Sequence, residues 1–168
     1  MEQYLFFDES GITLDPTISA QWAPKGYQPQ FPSNSRRERV HLGGLVNPKT
    51  DDVFVQRIEK GNSVSFIGIL EWISEIYKQH KTIFLYVDNA RWHKSKIVRL
   101  YLSFNSRIVL LFIPPYSPNL NPVEWEWHEL RRLSTHARRF QSGEECYQTV
   151  EKHFEFRKCT NNSYRQFN

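Results

Sequence analysis

Five short apolar runs along the chain predict β-strands. The first, the fourth and the fifth are apolar at successive positions, which is typical of central strands covered on both faces. The second and third flank Asn47–Thr50, a turn-forming sequence that predicts a β-hairpin. The runs are Tyr4–Phe7, Val40–Val46, a run that starts at Val53, Ile83–Val87 and Arg107–Ile113.

Segments with apolar residues three or four positions apart predict the helices. Asn62 or Ser63 can cap the first of them, because both side chains accept hydrogen bonds from backbone N–H groups. Its buried face is expected to carry Phe66, Ile69, Leu70, Ile73, Ile76 and Tyr77. Further helices are expected over about Lys94–Phe104, Pro122–His136 and Gly143–Phe156. The segment Gly11–Ser35, rich in Pro, Gln and Ser, predicts a long irregular excursion.

The order of these elements predicts the fold class. Three strands, of which two form a hairpin, are followed by alternating helices and strands, a pattern of α/β proteins with an α+β type of mixed sheet. We expect a central mixed five-stranded sheet flanked by helices. This arrangement suits a ribonuclease H-like fold, whose acidic residues gather at the ends of neighbouring central strands.

Three carboxylates lie where predicted elements begin or end. Asp8 closes the first strand, Asp88 closes the fourth, and Glu124 opens the helix that follows the proline-rich segment Pro114–Pro122. Two acids at the ends of buried strands and a third on a helix can converge on one divalent-metal site. Such a site suits phosphodiester chemistry, because metal ions activate the nucleophile and stabilise the leaving oxygen.

The two aspartates also have simpler interpretations. Asp8–Gly11 can be a polar turn, and Asp88 or Asn89 can merely cap the next helix. Glu9 competes with Asp8, because successive strand side chains face opposite sides and only one of them can point at a given site.

Glu124 has an equally simple alternative. It lies at the third position of a helix capped by Asn121, where a carboxylate can bond back to the cap. Glu126 is a rival, because helical geometry places it about 200° from Glu124. The apolar face of this helix is formed by Val123, Trp127 and Leu130. Neither glutamate lies at its centre, so periodicity does not choose between them. His93, close to Asp88 in sequence, can be an accessory residue or a structural hydrogen-bonder.

The net charge and the basic residues bear on what the protein binds. The chain of 168 residues has the length of about one domain, and its net charge of +4 is compatible with a polyanionic partner. Any one basic cluster can be an ordinary solvated face, but clusters flank both Asp88 and Glu124, which favours a nucleic acid. The clusters are Arg36, Arg37 and Arg39; Lys94, Lys96 and Arg99; and Arg131, Arg132, Arg138 and Arg139.

Cysteine usage and hydropathy predict the compartment. Cys146 and Cys159 match no zinc-binding spacing and make no disulfide framework, which favours a reducing cytosol. No signal peptide precedes Asp8, and the apolar run Ile108–Ile113 is too short to span a bilayer. We therefore expect a cytoplasmic protein without membrane association.

Four segments carry a resemblance to a known family. They are Phe6–Ser10, Trp22–Gly26, Val87–His93, and Pro114–Glu124 followed by Trp127. With these segments the chain resembles the catalytic domain of a DDE transposase, in the bacterial insertion-sequence branch of the mariner-like superfamily. The 35 residues between Asp88 and Glu124 fall within the range that this superfamily uses. The resemblance covers about residues 3–155.

The resemblance implies a catalytic, metal-binding triad of Asp8, Asp88 and Glu124, and it disfavours Glu9 and Glu126. It further implies two ions of Mg²⁺ or Mn²⁺ and a reaction in two steps. DNA is cut at the end of the mobile element, and the freed 3′-hydroxyl then attacks target DNA. Accessory roles are expected for Asn89 and His93, and DNA contacts for Arg36, Arg37, Arg91, Lys94, Lys96, Arg131 and Arg132.

The resemblance also implies an organisation and partners. We expect a DDE catalytic domain over residues 1–158 and a polar C-terminal tail over residues 159–168. Members of this family normally carry an N-terminal helix-turn-helix region, whereas Met1 here lies almost on the first strand, so a separate or frame-fused helix-turn-helix segment is an expected partner. Transposon-end and target DNA, a homodimer and association with the bacterial nucleoid are implied as well. Asn119 departs from the family, which usually has Asp there.

Two other functions stay open. One is another nuclease with a ribonuclease H fold, against which the Pro114–Pro118 segment argues. The other is a catalytically idle DNA-binding remnant, or a regulator of transposition. In each case contacts to DNA phosphates through Arg and Lys would weaken as the salt concentration rises.

Overall fold

The computed structural model describes residues 2–16, 24–27 and 38–165, with the backbone alone at residue 118 and over residues 159–165. Trp22 and Ala23 of the second resemblance segment lie outside the described residues, as do the expected DNA contacts Arg36 and Arg37. The chain groups into two compact units: a first unit of Met1–Ser10 with His41–Trp127 and a second unit of Gly11–Val40 with His128–Asn168. The division expected at residue 158 stays a prediction.

The strands in the described ranges form one mixed sheet. They are β1 Glu2–Thr13, β2 Arg39–Asn47, β3 Asp52–Ile58, β4 Thr82–Val87 and β5 Ile108–Phe112. The order across the sheet is β3-β2-β1-β4-β5. β2 and β3 pair antiparallel, as the predicted hairpin requires, whereas β1 with β4 and β4 with β5 pair parallel. The predicted mixed five-stranded sheet is therefore confirmed.

The parallel pairing of β1 with β4 sets two of the candidate acids side by side. Phe6 pairs with Tyr86 in the register of the two strands, and their rings stack with centroids 4.6 Å apart. The same register continued by two residues brings Asp8 level with Asp88. Asp88 directly follows the last residue of β4, so both acids lie at the carboxyl end of β4, with Asp8 inside the longer strand β1.

Helices alternate with the last two strands along the chain and then follow them. Those in the described ranges are α1 Ser63–Ile76, α2 Lys96–Phe104, α3 Pro122–Leu130 and α4 Gly143–Arg165. Two 3₁₀ turns, at Arg91–Lys94 and Pro118–Leu120, precede α2 and α3. A π-helical turn over Arg131–Thr135 follows α3.

The first helix starts and packs as its sequence predicts. The Oδ1 of Asn62 accepts hydrogen bonds from the backbone N–H groups of Val64 and Ser65, each at 2.9 Å, and so caps α1. The apolar face of α1 is buried against the central strands of the first unit. This core contains Phe66, Ile69, Leu70 and Ile73 of α1 and Leu5, Phe7, Leu85 and Val87 of the sheet.

Two boundaries near the candidate acids differ from the expectations. β1 runs on to Thr13, so Asp8–Gly11 belongs to a strand and is not a polar turn. The pairing of β1 with β4 stops at Phe6, and β4 itself ends at Val87, so β1 extends past the end of β4. α2 begins at Lys96 because the Ser95 Oγ caps it, accepting a hydrogen bond from the Val98 N–H at 3.4 Å.

The C-terminal helices also differ from the expectations. α3 ends at Leu130, well before His136, because the chain widens into the π-helical turn. α4 passes its expected end at Phe156 and reaches Arg165, so residues 159–165 of the expected polar tail are helical. This stretch contains neither Gly nor Pro, so it has no strong helix breaker. In the described ranges no helix, α4 included, combines the length and the apolar character needed to cross a bilayer.

A glycine on β2 makes room for the side chains of α3. A Cβ at Gly44 would lie 2.5 Å from the Trp127 ring and 2.9 Å from the Val123 Cγ1, closer than side-chain atoms approach one another. Both Val123 and Trp127 are buried. α3 therefore lies against β2 at a distance that only glycine allows.

We expect Gly44→Ala to lower the free energy of unfolding by about 1–3 kcal/mol, because Trp127 must leave its position. Gly68→Ala is the matched control: this exposed glycine lies inside α1, and its Cβ would meet nothing within 4 Å. Alanine there should stabilise the protein by about 0.5–1 kcal/mol. Urea unfolding of both variants checks the pair, and a Gly44→Ala protein as stable as the wild type would contradict the close packing.

Candidate active site

One open cavity of about 350 Å³ lies at the carboxyl edge of the central strands in the first unit. It brings together the acids from β1, the end of β4 and the start of α3. The loop between β5 and α3 supplies most of its remaining wall. The lining residues are Asp8, Asp88, Asn89, Ile113, Pro114, Pro115, Tyr116, Ser117, Asn121 and Glu124.

Asp8 enters the cavity from one face of β1. Its Oδ2 accepts a hydrogen bond from the Trp127 Nε1–H at 3.0 Å, so the indole of α3 holds the carboxylate in place. Glu9, the next residue of the strand, belongs to the opposite face, where Trp92 Nε1–H donates to its Oε2 at 3.0 Å. Asp8 lines the cavity and Glu9 does not. The geometry therefore favours Asp8 of the two acids that the sequence left open.

Asp88 lines the cavity, but it does not cap the 3₁₀ turn that follows, whose N-cap is Ala90 without a side-chain hydrogen bond. The Asp88 Oδ1 accepts a hydrogen bond from the Ala90 N–H at 2.9 Å, which stabilises the turn after β4. The neighbouring Asn89 donates from Nδ2 to the Ile113 carbonyl oxygen, while its Oδ1 accepts from the Lys94 ammonium. Asn89 thus links the loops that follow β4 and β5 beside the acid.

Glu124 is positioned by its N-terminal cap. The Asn121 Oδ1 accepts a hydrogen bond from the Val123 N–H at 3.2 Å, and its Nδ2 donates to the Phe7 carbonyl oxygen at 3.3 Å. One buried amide therefore starts α3 and ties it to the strand residue before Asp8. Glu124 faces the cavity from the first turn, whereas Glu126 is absent from the cavity lining.

His93 lies behind Asp88 and is almost fully buried, with 2% of its side chain exposed. Its Nδ1 is 2.9 Å from the Asp88 Oδ1, and its Nε2 is 3.6 Å from the Glu9 Oε2. Burial lowers the pKa of the imidazole, but the two carboxylates outweigh it and raise the pKa to about 9. His93 is therefore protonated at neutral pH.

The aspartates experience opposite environments in the same cavity. Burial raises the pKa of Asp8 to about 7, and the charges of Glu124 and Asp88 add to this effect against the Trp127 hydrogen bond. The hydrogen bond from His93 lowers the pKa of Asp88, and it outweighs partial burial. The cavity thus holds an excess of negative charge that Asp8 relieves by retaining its proton.

The donor set fits a hard divalent cation. Three carboxylates offer oxygen ligands, which Mg²⁺ and Mn²⁺ prefer, and the charges of Glu124 and Asp88 add to burial in raising the pKa of Asp8. Within the described ranges, however, no three His, Cys, Asp or Glu side chains are close enough together to hold a metal ion. Asp8, Asp88 and Glu124 share the cavity without forming a closed coordination sphere.

The basic residues expected to contact DNA divide between the two units. In the first unit Arg91, Lys94 and Lys96 are exposed, and Lys94 lies 4.6 Å from the centre of the Phe112 ring. In the second unit Arg132 forms a bidentate ion pair with Glu129, at 2.9 and 2.7 Å, which neutralises its charge locally. Arg131, in the same unit, is half-buried.

Sequence reasoning missed the two tryptophans that hold acids. Periodicity places Trp127 in the packing stripe of α3 alone, and it gives Trp92 no role. A buried indole N–H needs an acceptor, and that requirement was the available signal. The acceptor of Trp127 is Asp8, 119 residues away in the chain, and the acceptor of Trp92 is Glu9, 83 residues away, so local sequence does not reveal either one.

We expect Asp8→Asn and Asp88→Asn to change stability in opposite directions in metal-free protein at pH 8. Because the raised pKa of Asp8 means that the folded state binds this proton more tightly, the ionised carboxylate costs stability as the pH rises from about 4 to about 7. Asn keeps an oxygen for Trp127 without the charge, so the variant should gain about 1–4 kcal/mol, an advantage that shrinks towards pH 5.

Asp88→Asn should instead lose stability at pH 8. The lowered pKa of Asp88 means that its ionised form stabilises the fold above the unfolded-state pKa, and Asn removes the anionic partner of buried His93. Urea unfolding at pH 5 and pH 8 with a chelator measures both variants. If both variants changed the free energy of unfolding in the same direction at pH 8, the opposite environments of Asp8 and Asp88 would be contradicted.

Comparisons with known proteins agree with this arrangement. A model of the family described as DDE superfamily endonuclease matches residues 3–146. The insertion element IS630 uncharacterized 39 kDa protein of Shigella sonnei is 33% identical over 128 residues, which are 76% of this chain and 37% of that protein. The chain therefore spans little more than a third of the length of this curated relative.

Solved structures share the fold at lower identity. A pre-cleavage Mos1 transpososome matches with a TM-score of 0.70 and 18% identity, over 91% of this chain and 48% of that one. The mariner Mos1 paired end complex with Mg matches with a TM-score of 0.69 and 18% identity, over 90% and 48%. These matches confirm the ribonuclease H-like fold. Since the family model covers most of the chain, the protein belongs to the DDE superfamily of endonucleases, as its motifs predicted.

Proposed function

We propose that this chain is the catalytic part of an insertion-sequence transposase, which cleaves DNA strands and joins them to target DNA with the help of divalent metal ions. The observation that carries the proposal is the meeting of Asp8, Asp88 and Glu124 in one open cavity. Burial raises the pKa of Asp8, and the neighbouring charges of Glu124 and Asp88 raise it further, an effect that a bound cation would offset. The relationship to the IS630 protein and the fold shared with Mos1 support the same activity.

We assign Asp8, Asp88 and Glu124 as the ligands of two ions of Mg²⁺ or Mn²⁺. When bound, such ions activate the attacking oxygen, stabilise the leaving oxygen and neutralise charge on the phosphate. The Mg in the mariner Mos1 paired end complex supports this choice of cation. The protein itself orients the ligands, because Trp127 holds Asp8, His93 holds Asp88, and Asn121 fixes the helix of Glu124.

The surroundings of the cavity suit a DNA backbone. The cavity is open, so an extended phosphodiester can reach it. Arg91, Lys94 and Lys96 lie on the segment that follows Asp88, and they are assigned to contacts with phosphates on one side of the scissile bond. A homodimer and a helix-turn-helix partner, which the family resemblance implies, stay predictions.

Nicking of supercoiled plasmid tests the proposed activity. The purified chain should convert supercoiled plasmid to open circles with Mn²⁺ or Mg²⁺ and leave it intact with a chelator. Asp8→Asn, Asp88→Asn and Glu124→Gln should each lower the rate at least about 100-fold, because each removes a charged oxygen ligand.

Glu126→Gln is the matched control for Glu124→Gln. It changes the same residue type on the same helix but outside the cavity lining, so its nicking rate should equal that of the wild type. Nicking that survives in all three ligand variants would sink the assignment. Binding of DNA without any nicking by the wild type would favour the idle DNA-binding remnant.

Lys96→Ala should reduce the salt dependence of DNA binding, because removing one lysine from a phosphate lowers the slope of log K against log salt by about 0.9. Lys78→Ala serves as the control: Lys78 is an exposed lysine of the same unit, but its ammonium is paired with Glu75 at 2.9 Å. Fluorescence anisotropy with a short duplex, at several salt concentrations and with chelator present, gives both slopes. Equal slopes for Lys96→Ala and the wild type would remove Lys96 from the DNA contacts.

A further inference from the structure

A row of three side chains lies behind Asp88, on the far side from the cavity. The Trp92 Nε1–H donates to both oxygens of Glu9, at 3.3 and 3.0 Å. The Oε2 of Glu9 faces the His93 Nε2 at 3.6 Å, and the His93 Nδ1 lies 2.9 Å from the Asp88 Oδ1. Of these four residues only Asp88 lines the cavity.

The direction of the last hydrogen bond follows from its partners. An ionised carboxylate only accepts, so the His93 Nδ1 carries the hydrogen that it gives to Asp88. The Nε2 on the other side of the ring is buried and has no partner within hydrogen-bond distance among the described residues. The carboxylate of Glu9 is therefore the polar group that this nitrogen faces.

Aromatic neighbours confine the imidazole. Its ring centroid lies 4.1 Å from that of Phe66, and the edges of Phe7 and Trp92 approach at centroid distances of 6.3 and 5.8 Å. A ring enclosed in this way has one orientation in which Nδ1 meets Asp88 and Nε2 meets Glu9.

The arrangement leaves part of Asp88 available. Its side chain is 55% exposed, so packing alone does not hold the carboxylate. In the described structure the hydrogen bonds from Ala90 and His93 both fall on Oδ1. The Oδ2 atom can then be presented to a ligand in the cavity while Oδ1 stays anchored.

We propose that His93 and Glu9 are positioning residues for the metal ligand Asp88: Glu9, held by the Trp92 indole, orients His93, and His93 fixes the Asp88 carboxylate. This inference rests on the proposed function, because it takes Asp88 as a ligand. In this arrangement one face of β1 supplies the ligand Asp8. The opposite face supplies Glu9, which acts through His93 on the ligand Asp88 just after β4.

Outer partners of this kind typically change metal affinity by about 10–100-fold when removed. His93→Ala should therefore weaken Mn²⁺ binding by about that factor. Glu9→Gln should weaken it less, by about threefold to tenfold, because Gln can still accept from Trp92 but loses the charge that faces Nε2. Both effects should appear without DNA, in the full chain.

Two further variants separate positioning from packing. His93→Asn places an amide nitrogen near the position of Nδ1 and can still donate to Asp88, whereas the longer His93→Gln places its nitrogen near the position of Nε2. Asn should retain most of the wild-type affinity for Mn²⁺ and Gln should not. A role in packing alone predicts the same affinity for both, since neither fills the aromatic pocket as an imidazole does.

The measurement is a titration of metal-free protein with Mn²⁺, following the free ion by electron paramagnetic resonance. Thermal unfolding verifies that each variant is folded, and the exposed His128→Asn is the control for a histidine outside the row. Wild-type protein without saturable Mn²⁺ binding would overturn the proposed metal site and this inference with it. Wild-type binding together with unchanged affinity in Glu9→Gln and in His93→Gln would overturn this inference alone. If His93→Ala does not fold, the comparison of Asn with Gln decides.

Discussion

The parallel pairing of β1 with β4 is the constraint on which the rest of the site depends. Its register brings Asp8 level with Asp88 at the carboxyl edge of the sheet, where two like charges repel each other. Neither strand can shift by one residue without turning its buried side chains to the wrong face. The packing of the core therefore fixes the two carboxylates next to each other, and the surrounding residues have to offset their repulsion.

The structure accommodates the two acids by different means. Asp8 is the more buried, and burial together with the charges of Glu124 and Asp88 raises its pKa to about 7, although the indole hydrogen bond from Trp127 favours the ionised form. Asp88 is half exposed and receives an imidazole hydrogen bond, so its pKa falls. At neutral pH Asp88 is ionised, while Asp8 is divided between its two forms. The alternation along β1 adds to this separation, because it directs Glu9 to the side of the sheet where His93 lies.

Much of the fold was predictable because it depends on local patterns. The hairpin, the doubly apolar strands and the cap of α1 follow from turn residues, burial and hydrogen-bonding side chains close in sequence. The position of Asp88 after β4 follows from the same patterns, whereas the prediction that Asp8 closes β1 was wrong because the strand runs on to Thr13. The end of α3 does not, because a π-helical turn has no clear signature, and the extension of α4 through residues 159–165 lacks an apolar stripe to reveal it.

The choice between neighbouring acids needed the tertiary structure. Asp8 and Glu9 are equivalent to any local rule, as are Glu124 and Glu126, and only the resemblance to a family preferred one of each. Contacts across the chain separate them: Asn121 donates to the Phe7 carbonyl and so ties the start of α3, where Glu124 lies, to β1. Such a contact joins positions 114 residues apart, beyond the reach of periodicity.

The raised pKa of Asp8 connects the stability of the fold to its proposed chemistry. A carboxylate that keeps its proton near neutral pH relieves the repulsion from Asp88 and Glu124, and a divalent cation in the cavity relieves it more fully because it faces all three acids. On the proposed assignment of Asp8 as a metal ligand, proton and cation would compete for its oxygen atoms, and metal affinity should fall as the pH drops below about 7. The arrangement disfavours the ionised form of Asp8 when no cation is present, which supports the proposal that these acids bind one.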